Sequence, residues 1–366
     1  MNELWWSTIP NARKFVYDIS DVLNNGKSAV YSVNGVLPWS DTFSSILSSA
    51  IENSDKDVDI IYAEDLGERS PGEYLFDKYC KRELRIRYRT SMGYEKFLAA
   101  NDTSTILINK FIYVKKCDIQ AAKQWIDFIC KYNSYHEKNT LRCCFLIENC
   151  SEYAPNCNID HFQWETYYHQ YDISMFCMLN SSSINDNDLI KSYLAELSCA
   201  LSLNDVELAS ELVSAGMELI NDPEKTLENV IENRVRSDHS SYTMPDNIST
   251  YIKSAQVKIF YPVIERYRTW FINEHIDQFT DSFRHITAFG DVITDCHELE
   301  LGDLVYLCNN LKLNVDYDDY RKLKDFHNYR NNLAHRSLLS VENIKKLTNT
   351  KFGNAVIEKK KTVKYQ

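Results

Sequence analysis

Over the first 180 positions, short apolar runs alternate with stretches in which apolar residues recur every three or four. The runs fall at 28–33, 58–63, 105–114, 143–147 and 173–179, and four of them are apolar on successive residues, as strands covered on both faces are. Helical spacing falls between them, at 12–23, 41–51, 73–80 with 94–100, and 119–132. Asp41 and Asp118 stand at N-cap positions, and Gly26 stands just past a helix end where a left-handed residue is wanted. This alternation predicts an α/β N-terminal domain built on a mostly parallel open sheet. After Ser181-Ser182-Ser183 no strand-like run survives, apolar residues recur at three and four, and helices are predicted at 187–203, 205–220, from Pro223 onward, 249–283, 301–311 and 317–339. The polar stretch 234–247 reads as an exposed loop, and Pro262 as a kink in the long helix that carries Val257, Phe260, Ile264, Tyr267, Phe271 and His275 on one side. The expected organisation is an α/β domain at 1–182, a helical connector at 183–247, an all-α domain at 248–345 and a basic tail at 346–366.

Composition narrows the chemistry. The 366 residues include only nine glycines, against roughly 26 at an ordinary usage of about 7%, which argues against glycine-loop enzymes. A hydrophobic share of 44% with 25% charged residues is that of a folded globular protein. No run has the length of a membrane span and the N-terminus lacks a signal-peptide layout, so no membrane partner and a cytoplasmic location are expected. The formal net charge of -11 disfavours a protein that coats nucleic acid along its whole surface, leaving only local basic patches. Eleven cysteines, an odd number with no Cys-x-x-Cys pair, read as free thiols of a reducing compartment rather than as a disulfide or zinc framework; no metal and no cofactor are expected.

Two local features of the N-terminal half bear on phosphate chemistry. Gly26-Lys27-Ser28 resembles the end of a Walker A loop, but it follows a helix and precedes a strand, whereas a phosphate cradle needs strand, loop and helix in that order. The run at 106–108 leads into Asn109-Lys110, where a magnesium-binding carboxylate would be expected. The half therefore resembles, loosely, a P-loop NTPase core without a Walker A motif, a degenerate nucleotide-binding-like domain suited to sensing or docking. An unconventional nucleotide loop at 34–39, after the first strand, is a weaker alternative. Six cations between Lys78 and Arg89 mark the second feature: Lys81, Arg82, Arg85, Arg87 and Arg89, with Lys78 ahead of them, interleave with Tyr79 and Tyr88 and form a weak candidate for nucleic-acid binding or a solvated charged surface.

The most informative segment is near the C-terminus, Phe326-His327-Asn328-Tyr329-Arg330-Asn331-Asn332-Leu333-Ala334-His335. At 100° per residue, Leu323, Phe326, Tyr329 and Leu333 share one face, and His327, Asn331 and His335 form a polar stripe beside it. Arg330-Asn331-x-x-x-His335 resembles the R-x4-6-H motif of the HEPN superfamily, with the polar residue that often follows the arginine, and the resemblance covers about residues 250–345. It implies a HEPN-like helical bundle and metal-independent RNA cleavage in a bacterial defence or toxin system. The implied roles are proton transfer at His335, phosphate stabilisation at Arg330 and orientation by Asn331, with His327 as a possible second proton carrier. Arg330 lies about 140° from His335 around the helix. Completion of the site in a homodimer through the C-terminal domain, as is general in the family, would answer that separation. The expected partners are thus RNA, a second copy and a protein of a defence operon. The alternative is a non-catalytic assembly or regulatory subunit that uses the same helix for dimerisation or partner binding. Seven lysines after Val341 read as a basic tail, either solubilising or holding RNA near this site.

Overall fold

In a computed structural model, residues 1–51, 56–136, 142–150, 159–280, 282–287, 290–335 and 337–352 are described. Cys157 and the tail lysines Lys359, Lys360, Lys361 and Lys364 lie outside the described residues. The chain divides into one unit of Met1–Phe176 with Arg234–Tyr242 and a second of Cys177–Asn233 with Thr243–Gln366.

The first unit is α/β. Its strands are β1 (Ala29–Ser32), β2 (Asp57–Tyr62), β3 (Lys110–Cys117), β4 (Cys144–Asn149) and β5 (Asp160–Gln163), in the order β2-β3-β4-β1-β5 with every pairing parallel. The helices are α1 (Asn2–Thr8), α2 (Pro10–Asn24), α3 (Ser40–Ile51), α4 (Pro71–Tyr79), α5 (Arg82–Arg85), α6 (Tyr94–Ala100), α7 (Asp102–Thr105), α8 (Ile119–Ser134), α9 (Trp164–Tyr167) and α10 (Gln170–Ser181). The pleat sends alternate side chains to opposite faces. Val30, Ile112, Val114, Phe145 and Ile147 join the core with residues of α4, α6 and α8. Tyr31 turns the other way, onto Phe15 of α2 and Phe43 of α3. Trp5 extends that second layer edge to face with Trp6 and Trp164, which are tilted against each other, each burying roughly 150–250 Å² of mostly apolar surface. Asp118 caps α8 by accepting from the Ala121 N–H, and Gly26 takes φ +75 just beyond α2.

Three sequence expectations change here. The run 173–179 is not a strand but part of α10, where Ile173, Phe176 and Cys177 are buried at i, i+3 and i+4. The run at 105–114 starts too early: Ile106 is left-handed (φ 63), Leu107–Asn109 forms a 3-10 turn, and β3 begins only at Lys110. Strand β5 was not among the predicted strands: it is a four-residue edge strand with no fully buried residue.

The second unit is helical, apart from a two-stranded ribbon, β6 (His285–Ile286) with β7 (Val292–Ile293). Its helices beyond the end of α10 are α11 (Asp188–Leu201), α12 (Val206–Ala215), α13 (Met217–Asn221), α14 (Pro223–Asn233), α15 (Ile248–Glu274), α16 (Leu301–Asn309), α17 (Tyr317–Ala334) and α18 (Val341–Asn349). The stretch 205–220 is two helices because Gly216 takes φ +57. Helix α15 contains Pro262 and stops at Glu274 instead of reaching 283. The start of the lysine-rich tail is helix α18, whose Ile344 and Leu347 are buried. Phe326 of α17 stacks on Tyr267 of α15, with centroids 3.8 Å apart and rings 16° from parallel. Among the described residues, no helix is long and apolar enough to cross a membrane.

Candidate functional site

Helix α17 is fixed at both ends. Asp316 accepts from the Asp319 N–H at its start, and His335 is its C-cap. Leu323, Phe326, Tyr329 and Leu333 are its buried residues, so its polar stripe lies off the core. Just beyond its end, buried Gln256 of α15 grips Leu339 twice: its Oε1 accepts from the Leu339 N–H (2.8 Å) and its Nε2 donates to the Leu339 carbonyl (3.2 Å). That double contact ties the segment ahead of α18 to α15.

On this frame the motif residues separate into two pairs and one exposed group. Asn331 Nδ2 donates to His327 Nε2 at 3.0 Å, one turn back along the helix. His327 also lies against α16, where a Cβ added at Gly302 would come within 3.4 Å of its Nε2. Burial and the nearby Arg330 guanidinium hold the His327 imidazole below the usual histidine range. Arg330 pairs with Glu300, the N-cap of α16, at 3.5 Å. His335 is exposed, and no hydrogen bond among the described residues joins it to Arg330. Arg330, Asn331 and His335 therefore share one helix without forming a closed triad within the chain.

Beside α17 lies a groove of about 690 Å³ against α18, lined by Arg321, Lys322, Tyr329, Lys345, Lys346 and Lys351 together with Asp325 and Glu342. Lys346 is paired with Glu342 (2.9 Å) and Lys322 with Asp319 (3.0 Å), yet the lining retains a cationic excess. The other basic segment behaves differently. Arg85 folds back along the surface, donating to the carbonyls of Cys80 (2.8 Å) and Asp77, and Arg89 donates to the carbonyls of Ile86 and Tyr88, each at 3.2 Å. Lys81, Arg82 and Arg87 are exposed. The two tyrosines are committed internally, Tyr79 donating to Asp59 and Tyr88 stacking on Tyr94 at 4.7 Å and 8°.

The first unit offers a second place for chemistry, at the carboxyl edge of its parallel sheet. The chain leaves β1 toward β2 on one side and leaves β4 toward β5 on the other, so the switch point where such sheets bind ligands lies between β1 and β4. Protein groups occupy that edge. Ser32 Oγ meets His161 Nε2 at 2.8 Å, and Tyr31 and Tyr113 share a hydroxyl hydrogen bond of 2.6 Å. A register irregularity between Val114 and Cys117, with Lys116 left-handed (φ 57), places the buried Lys115 so that its Nζ donates to Ser44 Oγ (3.0 Å) and lies 3.6 Å from Asp41. Buried Glu148 accepts from the Lys116 N–H (3.1 Å); burial pushes its carboxyl up, and Lys115 is the chief opposing influence. Sequence reasoning missed Lys115 and Glu148 because the apolar runs taken for β3 and β4 were ended at 114 and 147, just before these charged residues that the strands in fact include. Lys115, rather than Asn109-Lys110, stands near the carboxyl end of β3.

For a metal, the described residues bring together Asp295, Cys296 and His297, with ligand atoms within 4.8 Å of one another. Asp295 already accepts from the His297 N–H (2.9 Å), which turns its carboxylate to capping.

No protein-family model matches the chain, and no curated protein matches it. Among solved structures, that of the Aeropyrum pernix ORC1 protein in complex with DNA is similar over 90% of this chain and 87% of that one, with a TM-score of 0.33 and 10% sequence identity.

Proposed function

We propose that this chain is a HEPN-type, metal-independent endoribonuclease of a defence or toxin system, whose active site is completed when two copies face one another along α17. The observation that carries this reading is the Arg330-Asn331-x-x-x-His335 sequence at the end of a helix whose core face is separately satisfied, with His335 exposed at its terminus. His335 removes the proton of a ribose 2′-hydroxyl, the 2′-oxygen attacks the adjacent phosphorus as the P–O5′ bond breaks, and the His335 imidazolium passes that proton to the departing 5′-oxygen, giving a 2′,3′-cyclic phosphate and a 5′-hydroxyl end. Arg330 neutralises the charge that builds on the phosphorane oxygens. Asn331 orients His327, which stands as a neutral imidazole beside Arg330. The basic groove between α17 and α18 supplies a path for the RNA backbone. The α/β unit serves as the sensing or docking domain.

A second reading, a non-catalytic assembly subunit, draws on the same residues. Arg330 is engaged by Glu300 and the Asn331 amide by His327, so the helix already has a structural use. Incubating the purified full chain with RNA in EDTA decides between them. The nuclease reading expects cleavage to cyclic-phosphate ends and a loss of about 10²–10⁴-fold in His335→Ala. Intact RNA, together with stoichiometric co-purification of another protein, supports the second reading.

A further inference from the structure

The loop between β1 and α3 has the strand–loop–helix order that Gly26-Lys27-Ser28 lacked, and its spacing is informative. Gly35, four residues, then Ser40-Asp41-Thr42 keeps the register of G-x-x-x-x-G-K-[ST], with serine for the second glycine and aspartate for the lysine. On β3, where such cores carry a magnesium-binding acid, stands the buried Lys115. The two charges have changed places, and they lie 3.6 Å apart. We propose that Gly35–Thr42 is a phosphate loop with exchanged charges, closed by the chain's own groups, so that the α/β unit keeps its shape without a nucleoside triphosphate.

Several elements of a phosphate cradle are already taken or reversed. A cradle needs backbone N–H groups aimed at oxygen and a helix N-terminus open to negative charge. The Asn34 N–H instead donates to Glu165 Oε1 (2.5 Å), and Pro38 has no N–H to offer. The Pro38 carbonyl accepts from the indole of the buried Trp6 at 3.0 Å, fastening the loop to the tryptophan layer. Trp39, left-handed at φ 45, lays its ring against Phe176, with centroids 5.8 Å apart. Thr42, at the hydroxyl position that would meet a metal ion, accepts from the Asn2 amide (3.0 Å). In the first turn of α3, the exposed Asp41 carboxylate complements the helix dipole, so an incoming phosphate meets a like charge. A magnesium ion would likewise meet the Lys115 ammonium. The pair thus links loop to strand through a contact that solvent screens on its Asp41 side, while the buried Lys115 Nζ is held by Ser44 Oγ of α3.

The test uses the full chain. Calorimetry and thermal melting with MgATP and MgGTP at about 1 mM should give no saturable heat and no rise in Tm, whereas a ligand binding a hundredfold below that concentration would raise Tm by several degrees. Saturable binding of either nucleotide overturns the proposal. Lys115→Asp should melt well below the parent, and adding Asp41→Lys should restore part of the loss by returning opposite charges to the pair. A Lys115→Asp chain that melts with the parent, or a double variant less stable than Lys115→Asp alone, contradicts the clamp. If Lys115→Asp fails to fold, the nucleotide titration of the parent chain still decides whether the loop is closed.

Discussion

The Asn331 amide donates to Nε2 of His327 across one turn of α17, at 3.0 Å. An amide NH₂ can only donate, so this bond requires the imidazole to be neutral with Nε2 bare. Burial, reinforced by Arg330, holds His327 in that state by lowering its affinity for a proton.

The consequence is a pH dependence of stability with a defined sign. Because the folded chain binds this proton less readily than the unfolded chain, the contribution of His327 is complete above the unfolded value of about 6.5 and declines as pH falls below it. Denaturant titrations between about pH 7.5 and 5 should show the parent losing stability more steeply than His327→Gln. Equal slopes would contradict the neutral assignment.

Gln256 and Leu339 support a second prediction. Gln256 is buried and satisfies both backbone groups of Leu339, so Gln256→Ala should cost about 1–3 kcal/mol by leaving them unpaired. Amide exchange at Leu339 should quicken, because its N–H loses its partner. Unchanged protection there would show that the turn beyond α17 is held by other contacts.

Removing Lys115 exposes the cost of Glu148. Lys115→Met deletes the chief influence opposing the burial of that carboxyl, and loss of one member of a buried charged set costs about 3–5 kcal/mol. Adding Glu148→Gln should recover much of the loss. Additive destabilisation in the double variant would show that the two side chains are not coupled.

Phe326 and Tyr267 separate packing from hydrogen bonding. Phe326→Ala should cost about 3–5 kcal/mol by emptying the stack that seats α17 on α15. Tyr267→Phe should be neutral or slightly stabilising, since the buried Tyr267 hydroxyl has no hydrogen-bond partner among the described residues. A large loss in Tyr267→Phe by urea titration would point to a partner for that hydroxyl.

What could be read in advance follows from the range of each interaction. The core face of α17 and the adjacency of His327 and Asn331 are consequences of 3.6-residue periodicity, and both were visible in the string. Glu300, 30 positions before Arg330, was not, because no local pattern pairs an N-cap with a distant arginine. Strand β5 is four residues long and none of them is fully buried, so no apolar pattern marks it, and 173–179 was strand-like only because a short buried helix and a buried strand are equally apolar. At the carboxyl edge, the proximity of Asp41 and Lys115 was not legible either, because α3 and β3 bring them together from distant parts of the sequence.

The central claim is a ribonuclease site completed by two copies of α17, and mixing two inactive variants tests it most directly. Arg330→Ala and His335→Ala should each lose RNA cleavage in EDTA. Exchanged together in equal amounts, they should regain about a quarter of parental turnover, since half the dimers are mixed and each mixed dimer holds one whole site with Arg330 from one copy and His335 from the other. A parent chain that leaves RNA intact, or a mixture no more active than its components, contradicts the account.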